Sequence, residues 1–239
     1  MCGRITITVD TVEFILERFK AEVAPGFEEF RPRYNAAPSQ RVPAIVAKDD
    51  GNRYLTNVFW GFVPPWGEKE EKPVFQANIR DDTIRRNRFF GDRLLHNRCV
   101  FVVDGFYEWK LPEGYEQLER GKKLPKGVRK TPYRIVLKNR DLFSIGGLWR
   151  TFKHQGVATL SAGIITTGPN ALMSPIHNRM PVLLSDREVD TWLDPSVEDT
   201  ELLANLLDPF PDDELEIYPV SDIVNNSRID IPGCIEQAP

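Results

Sequence analysis

Three side chains in this sequence could together support nucleophilic and acid–base chemistry: the thiol of Cys2, the carboxylate of Glu108 and the imidazole of His177. They form a working set only if the fold brings them together, because they are spread over most of the chain. Cys2 has the most unusual position, directly behind the first methionine in "MCGRITITV". Removal of Met1 would leave a free α-amine and a thiol on adjacent carbons. Such a 1,2-aminothiol condenses with an aldehyde in two steps. The amine forms an imine, and the thiol then closes on the imine carbon to give a five-membered thiazolidine. An internal cysteine could offer only a hemithioacetal, which reverses readily. Glu108 lies in the aromatic run "DGFYEWK", and His177 lies where the polar start of "SPIHNRMPVLL" meets an apolar strand-like run. Taken singly, such a glutamate belongs at a sheet edge or on a solvent face, and such a histidine is an ordinary surface or core residue. Two more polar stretches stand out. They are "RYNAAPS", which contains Asn35, and "FQANIRDD", where Asn78 and Arg80 share a face if the backbone is extended.

The elements that must position these residues are mostly strands. "GRITITV" alternates and is β-branched, so a strand starts almost at the N-terminus and would fix Cys2 in the fold. Strands are also predicted over 41–48, 53–63, 133–138, 142–150, 158–167 and 214–220. Residues 98–110 read as strand, turn at Asp104-Gly105, and strand. Helices are predicted over 11–23, 81–95, 188–194 and 199–208, and a charged loop or hairpin tip over 111–130. No repeat or low-complexity linker divides the chain. The pattern predicts one α+β domain spanning 1–239, with an antiparallel, barrel-like β core and peripheral helices.

The 239 residues, 41% hydrophobic and 28% charged, have a globular composition. No run approaches the ~18 apolar residues of a membrane span, and the N-terminus does not read as a signal peptide. Three widely spaced cysteines predict a reducing compartment without a disulfide framework. The three histidines have no metal-site spacing with them, so neither metal nor cofactor is predicted. We expect a cytoplasmic monomer, at the nucleoid in a bacterium. The net charge is −4 but unevenly distributed. Ten Lys and Arg face three Glu between Lys110 and Arg140, whereas one basic residue faces twelve acidic ones between Leu183 and Glu216. A second basic cluster contains Arg85, Arg86 and Arg88. One basic face for an anionic ligand fits this pattern.

The strings "MCGR", "RYNAAP", "FWGFVPPW", "ANIR", "DGFYEWK", "IITT", "PIHNRMPVLL" and "YPVS" follow one another over nearly the full chain. Each is weak alone, but their joint order is specific. The chain resembles the SOS response-associated peptidase family of abasic-site processing proteins. The resemblance implies a compact α+β fold and covalent attachment to abasic sites in single-stranded DNA. It implies that Cys2 is the nucleophile once Met1 is removed and that Asn78, Glu108 and His177 are active-site residues. It also implies that Arg4 and Arg80 hold the DNA backbone and that Trp66 lies beside the DNA. Gly67 departs from relatives that have a second tryptophan there, which affects base stacking rather than the covalent chemistry. Asn35, Arg85 and Arg86 join the residues expected to face DNA.

An α-amine with a pKa near 7.7–8.0 is roughly one-tenth free at pH 7, and a thiol near 8.5 is only a few per cent ionised. Arg4 and Arg80 nearby are expected to favour the thiolate. Glu108 would move protons on the carbinolamine, His177 would protonate the leaving hydroxyl or assist at the sugar, and Asn78 would donate to the sugar oxygen. Three rival readings remain at this point. Met-Cys-Gly also opens N-terminal-nucleophile amidotransferases, although their later Asn-Gly and Gly-Asp elements are not suitably placed here. A cysteine peptidase would hydrolyse the Met1–Cys2 bond at least once. A non-catalytic single-strand binder would tolerate loss of Cys2.

Overall fold

β-Branched and aromatic residues supply most of the strands. The computed structural model describes residues 2–238 other than 28, 49, 70–72, 116–121, 123 and 155. In chain order the elements are β1 (Ile5–Ile7), α1 (Val12–Phe19), β2 (Ala21–Val23), β3 (Arg33–Ala36), β4 (Arg41–Ala47) and β5 (Arg53–Trp60). There follow β6 (Asn78–Arg80), α2 (Asp81–Arg86), α3 (Arg88–His96), β7 (Arg98–Val103), β8 (Gly105–Lys110) and β9 (Thr131–Leu137). The chain continues through β10 (Phe143–His154), β11 (Val157–Thr167), β12 (Met180–Pro181) and β13 (Leu183–Leu184). It ends with α4 (Asp186–Leu193), α5 (Thr200–Asn205) and β14 (Leu215–Pro219).

The strands form two sheets in one domain. One is antiparallel, in the order β14-β9-β8-β1-β3. The other contains the antiparallel path β11-β10-β7-β4-β5. β5 then pairs back onto β11, Ser161 against Phe59 and Ala162 against Trp60, and closes a five-stranded barrel. That closing pair is parallel, so the barrel is not wholly antiparallel as its sequence suggests. β2 and β6 also join in parallel, on β5 and β11 respectively.

β7 shows how the layers are held together. All six of its residues are buried, and they alternate between two cores. Cys99, Phe101 and Val103 join Ile5, Ile7, Phe106 and Ile135 of the antiparallel sheet. Val100 and Val102 join the apolar stripes of the helices, Ile15 and Phe19 of α1, Phe90 and Leu94 of α3, Val189 and Trp192 of α4, and Leu203 of α5.

Local chemistry accounts for two departures from the expected elements, and topology gives a third feature its meaning. The helix expected over 11–23 stops at Phe19, because Lys20 adopts a left-handed conformation (φ 50°) and the chain turns into β2. The helix expected over 81–95 is two helices. Asn87 between them is extended, and its side chain accepts the Phe89 N–H at 2.9 Å. The two strands around Asp104-Gly105 do not pair with each other. β7 belongs to the barrel and β8 to the other sheet, so the turn is a corner between layers.

Candidate active site

Cys2 leads directly into β1, which lies between β8 and β3. Below it, a buried polar cluster fixes the strand. Asp104 accepts from the Thr6 hydroxyl (2.5 Å), from the Thr8 N–H (2.8 Å) and hydroxyl, and from Arg134 (3.1 Å). Arg134 also donates to Thr6 Oγ1 (2.9 Å) and to the Tyr218 hydroxyl (2.7 Å). Gly105 is required here, since a Cβ would lie 2.7 Å from Arg134 Nε and 2.8 Å from Thr6 Oγ1.

Cys2 itself is fully buried. Its carbonyl accepts from Asn78 Nδ2 at 2.9 Å, and Asn78 begins β6, on the edge of barrel strand β11. This bond ties the two sheets together at the thiol. Glu108 follows Phe106 on the same face of β8, so the pleat that points Phe106 into the core points Glu108 the same way. It is 2% exposed, not on a solvent face. Burial raises its pKa above the usual carboxylate range. Burial, and then the Glu108 carboxylate, push the Cys2 thiol far up. The expectation that Arg4 and Arg80 favour a thiolate is therefore wrong. Desolvation and a neighbouring carboxylate keep the thiol protonated.

His177 lies in the loop before β12, and its backbone N–H donates to Met173 O at 3.0 Å. The Arg179 N–H donates to His177 Nδ1 at 3.0 Å. Arg179 O lies 3.2 Å from the same nitrogen, so the Arg179 backbone meets Nδ1 with both a donor and an acceptor. Burial lowers the pKa to about 4, so the ring is neutral at pH 7 rather than an imidazolium acid. Arg179 is a residue that sequence reasoning passes over, although it stands inside "PIHNRMP". Its guanidinium donates to Asp81 (2.7 Å) at the start of α2 and to Thr166 of β11, and so fixes the His177 loop to the barrel. Glu108 and His177 share a further neighbour, Lys130, whose charge acts on both.

The residues expected to face DNA are placed less uniformly. Trp66 is 56% exposed, its ring 6.1 Å from that of Phe89. Arg80 is exposed but makes two hydrogen bonds to Asp82, at 3.0 and 2.6 Å. Arg86 is exposed, while Arg85, also exposed, donates to the Ala204 carbonyl of α5 at 3.0 Å. Arg4 lies partly buried over the Trp109 ring and donates to Asn35 Oδ1 at 2.9 Å and to Val224 O. Asn35 is fully buried, its side-chain amide donates to the Val224, Asn226 and Ile229 carbonyls, and it holds the C-terminal loop. Met1 lies outside the described residues. Among the described residues no group of His, Cys, Asp and Glu could hold a metal ion. The three cysteines are free, and no described helix is long and apolar enough to cross a membrane.

Known proteins resemble this chain over most or all of its length. The chain is 36% identical over 237 residues to the abasic site processing protein YoqW of Bacillus subtilis, covering 99% of each chain. It is 29% identical to the rat abasic site processing protein HMCES, covering 88% of this chain and 66% of that one. A crystal structure of a Bacteroides thetaiotaomicron protein superposes with a TM-score of 0.78 at 23% identity, covering 99% of this chain and 100% of that one. The model of the SOS response associated peptidase (SRAP) family matches residues 1–227, and the chain belongs to that family.

Proposed function

We propose that this protein processes abasic sites in single-stranded DNA by forming a thiazolidine between Cys2 and the ring-opened sugar. The observation that carries the proposal is the placement of the Cys2 thiol within the field of buried Glu108, with Asn78 bonded to the Cys2 carbonyl. The relatives named for abasic-site processing support the substrate class. Hydrolysis of the Met1–Cys2 bond comes first and releases the α-amine. The family's peptidase name fits that step, which needs no other peptide substrate. We place the activity in the cytoplasm, at the nucleoid in a bacterium.

The amine adds to the C1 aldehyde to give a carbinolamine. Protonated Glu108 gives its proton to the hydroxyl, which leaves as water with formation of an iminium ion, and the neutral His177 ring can hydrogen-bond that departing oxygen. The thiol sulfur then adds to the iminium carbon as its proton passes to Glu108. A carboxylate of raised pKa suits this step, because it binds the proton firmly and can return it when the ring opens. Asn78 holds the Cys2 backbone so that the amine and thiol meet one carbon.

Denaturing electrophoresis with an abasic single-stranded oligonucleotide tests the proposal. The mature protein should give a heat-stable adduct. Cys2→Ala protein keeps an amine if Met1 is removed, so it should give only a borohydride-trappable imine or strand cleavage. A heat-stable, unreduced adduct from Cys2→Ala would refute the thiazolidine.

A further inference from the structure

Three of the arginines that the sequence offers for DNA already have partners within the protein, while Arg86 and Arg88 are exposed. Arg4 is partly buried and bonded to Asn35 and Val224, Arg80 is paired with Asp82, and Arg85 is bonded to Ala204. The protein as a whole carries a net charge of −4. A polyanion approaching Cys2 therefore gains from further positive charge. The segment joining β8 to β9 carries it. Between Arg120 and Lys130 the sequence has six Lys and Arg and no acidic residue. Of its described residues, Lys122, Lys126, Arg129 and Lys130 are all exposed.

Topology places the base of this segment at the candidate active site. Lys110 ends β8 opposite Thr131, which begins β9, and two residues further in Glu108 stands opposite Tyr133. The connection between β8 and β9 thus starts and finishes two or three residues from the Glu108–Tyr133 pair. We propose that the basic end of the β8–β9 connection, Lys126 to Lys130, is a phosphate-binding arm that holds the DNA strand flanking the lesion. This rests on the single-strand reading above and assigns the strand a path along one hairpin. The charge of Lys130 already acts on Glu108 and His177, as it would for a side chain at the mouth of the site. Arg129 pairs with Asp222 at 3.2 Å, but both side chains are more than half exposed. Such a pair is worth little and can exchange for a phosphate. Phosphate binding of this kind carries no base readout, so the arm adds affinity without sequence preference.

The test compares wild type, a triple variant K126Q/R129Q/K130Q and a charge-keeping variant K126R/K130R. Binding to an unmodified oligothymidylate is measured over a salt series, and melting temperature is measured alongside. The triple variant should bind more weakly, with the slope of log affinity against log salt reduced by about 0.7 for each phosphate that is no longer neutralised. The Arg variant should bind as wild type does. Equal affinity and slope in the triple variant would overturn the arm, as would weakening in the Arg variant to the same degree. Wild-type protein that forms no adduct with abasic DNA would instead defeat the underlying reading, so the two failures are distinguishable.

Discussion

Glu108 makes its neighbour Cys2 harder to ionise, and its own burial makes it a stronger base than an exposed carboxylate. Its native pKa lies above the reference value of 4.5, so between those two values the folded state binds more protons than the unfolded one. The stability this contributes is complete below 4.5 and is lost as pH rises through the native value. Glu108→Gln removes that loss. The melting temperature of the variant relative to wild type should climb with pH, while its crosslinking rate falls on the order of 10²-fold or more. A gap that stays flat with pH would show that Glu108 is not held protonated. His177 has the opposite sign. Its pKa falls from 6.5 to about 4, so its contribution is complete above 6.5 and lost as pH falls toward 4. His177→Asn should lack that part of the acid limb in a melting series. Its crosslinking rate should drop roughly 10²-fold, the scale for one lost hydrogen bond. Wild-type rates should show no imidazolium step between about pH 6 and 7, the range of an unperturbed histidine.

At the scale of elements, the three residues of β1 are too few to place Cys2 by themselves, and Asp104 supplies the restraint. Asp104→Asn leaves Arg134 without its buried ionic partner and should cost about 3 kcal/mol. The readout is chemical denaturation, paired with crosslinking at a temperature where the variant remains folded. A variant as stable as wild type would mean that the network is dispensable. Much of this element scale is legible in the sequence. The alternation of "GRITITV" puts a strand behind Cys2, and the β-branched runs give β4, β5, β7, β10 and β11. What escapes depends on partners far along the chain. Arg33–Ala36 and Asn78–Arg80 read as polar clusters because short edge segments become strands only when β1 and β11 lie beside them. The burial of Glu108 is hidden because "FYEWK" alternates without saying which face meets the core. Asn35 reads as a surface residue because its carbonyl partners lie near residues 224–229. The site residues themselves are picked out by family resemblance as much as by chemistry, since spacing in sequence says nothing about where His177 stands relative to Glu108.

For the whole molecule, charge decides how DNA arrives. A net-acidic protein must bind a polyanion through local basic ground, so affinity for an undamaged single strand should be steeply salt-dependent. With about three phosphates neutralised, raising salt from roughly 50 to 200 mM should weaken binding about twentyfold. Binding that ignores salt, or that prefers intact duplex, would contradict a single-strand track. The protein should sediment as a monomer throughout. The position of β1 also has a mechanical meaning. A DNA strand attached at Cys2 would pull along the axis of a strand bonded to β8 on one side and β3 on the other. A motor pulling on that DNA would load both ladders in shear, and it would meet the Asp104 anchor before β1 could slide out. Force delivered to such an attachment would be passed into a strand bonded on both sides instead of a loose chain end. A translocating enzyme would then stall against a folded obstacle before it could unravel the protein from its attachment point.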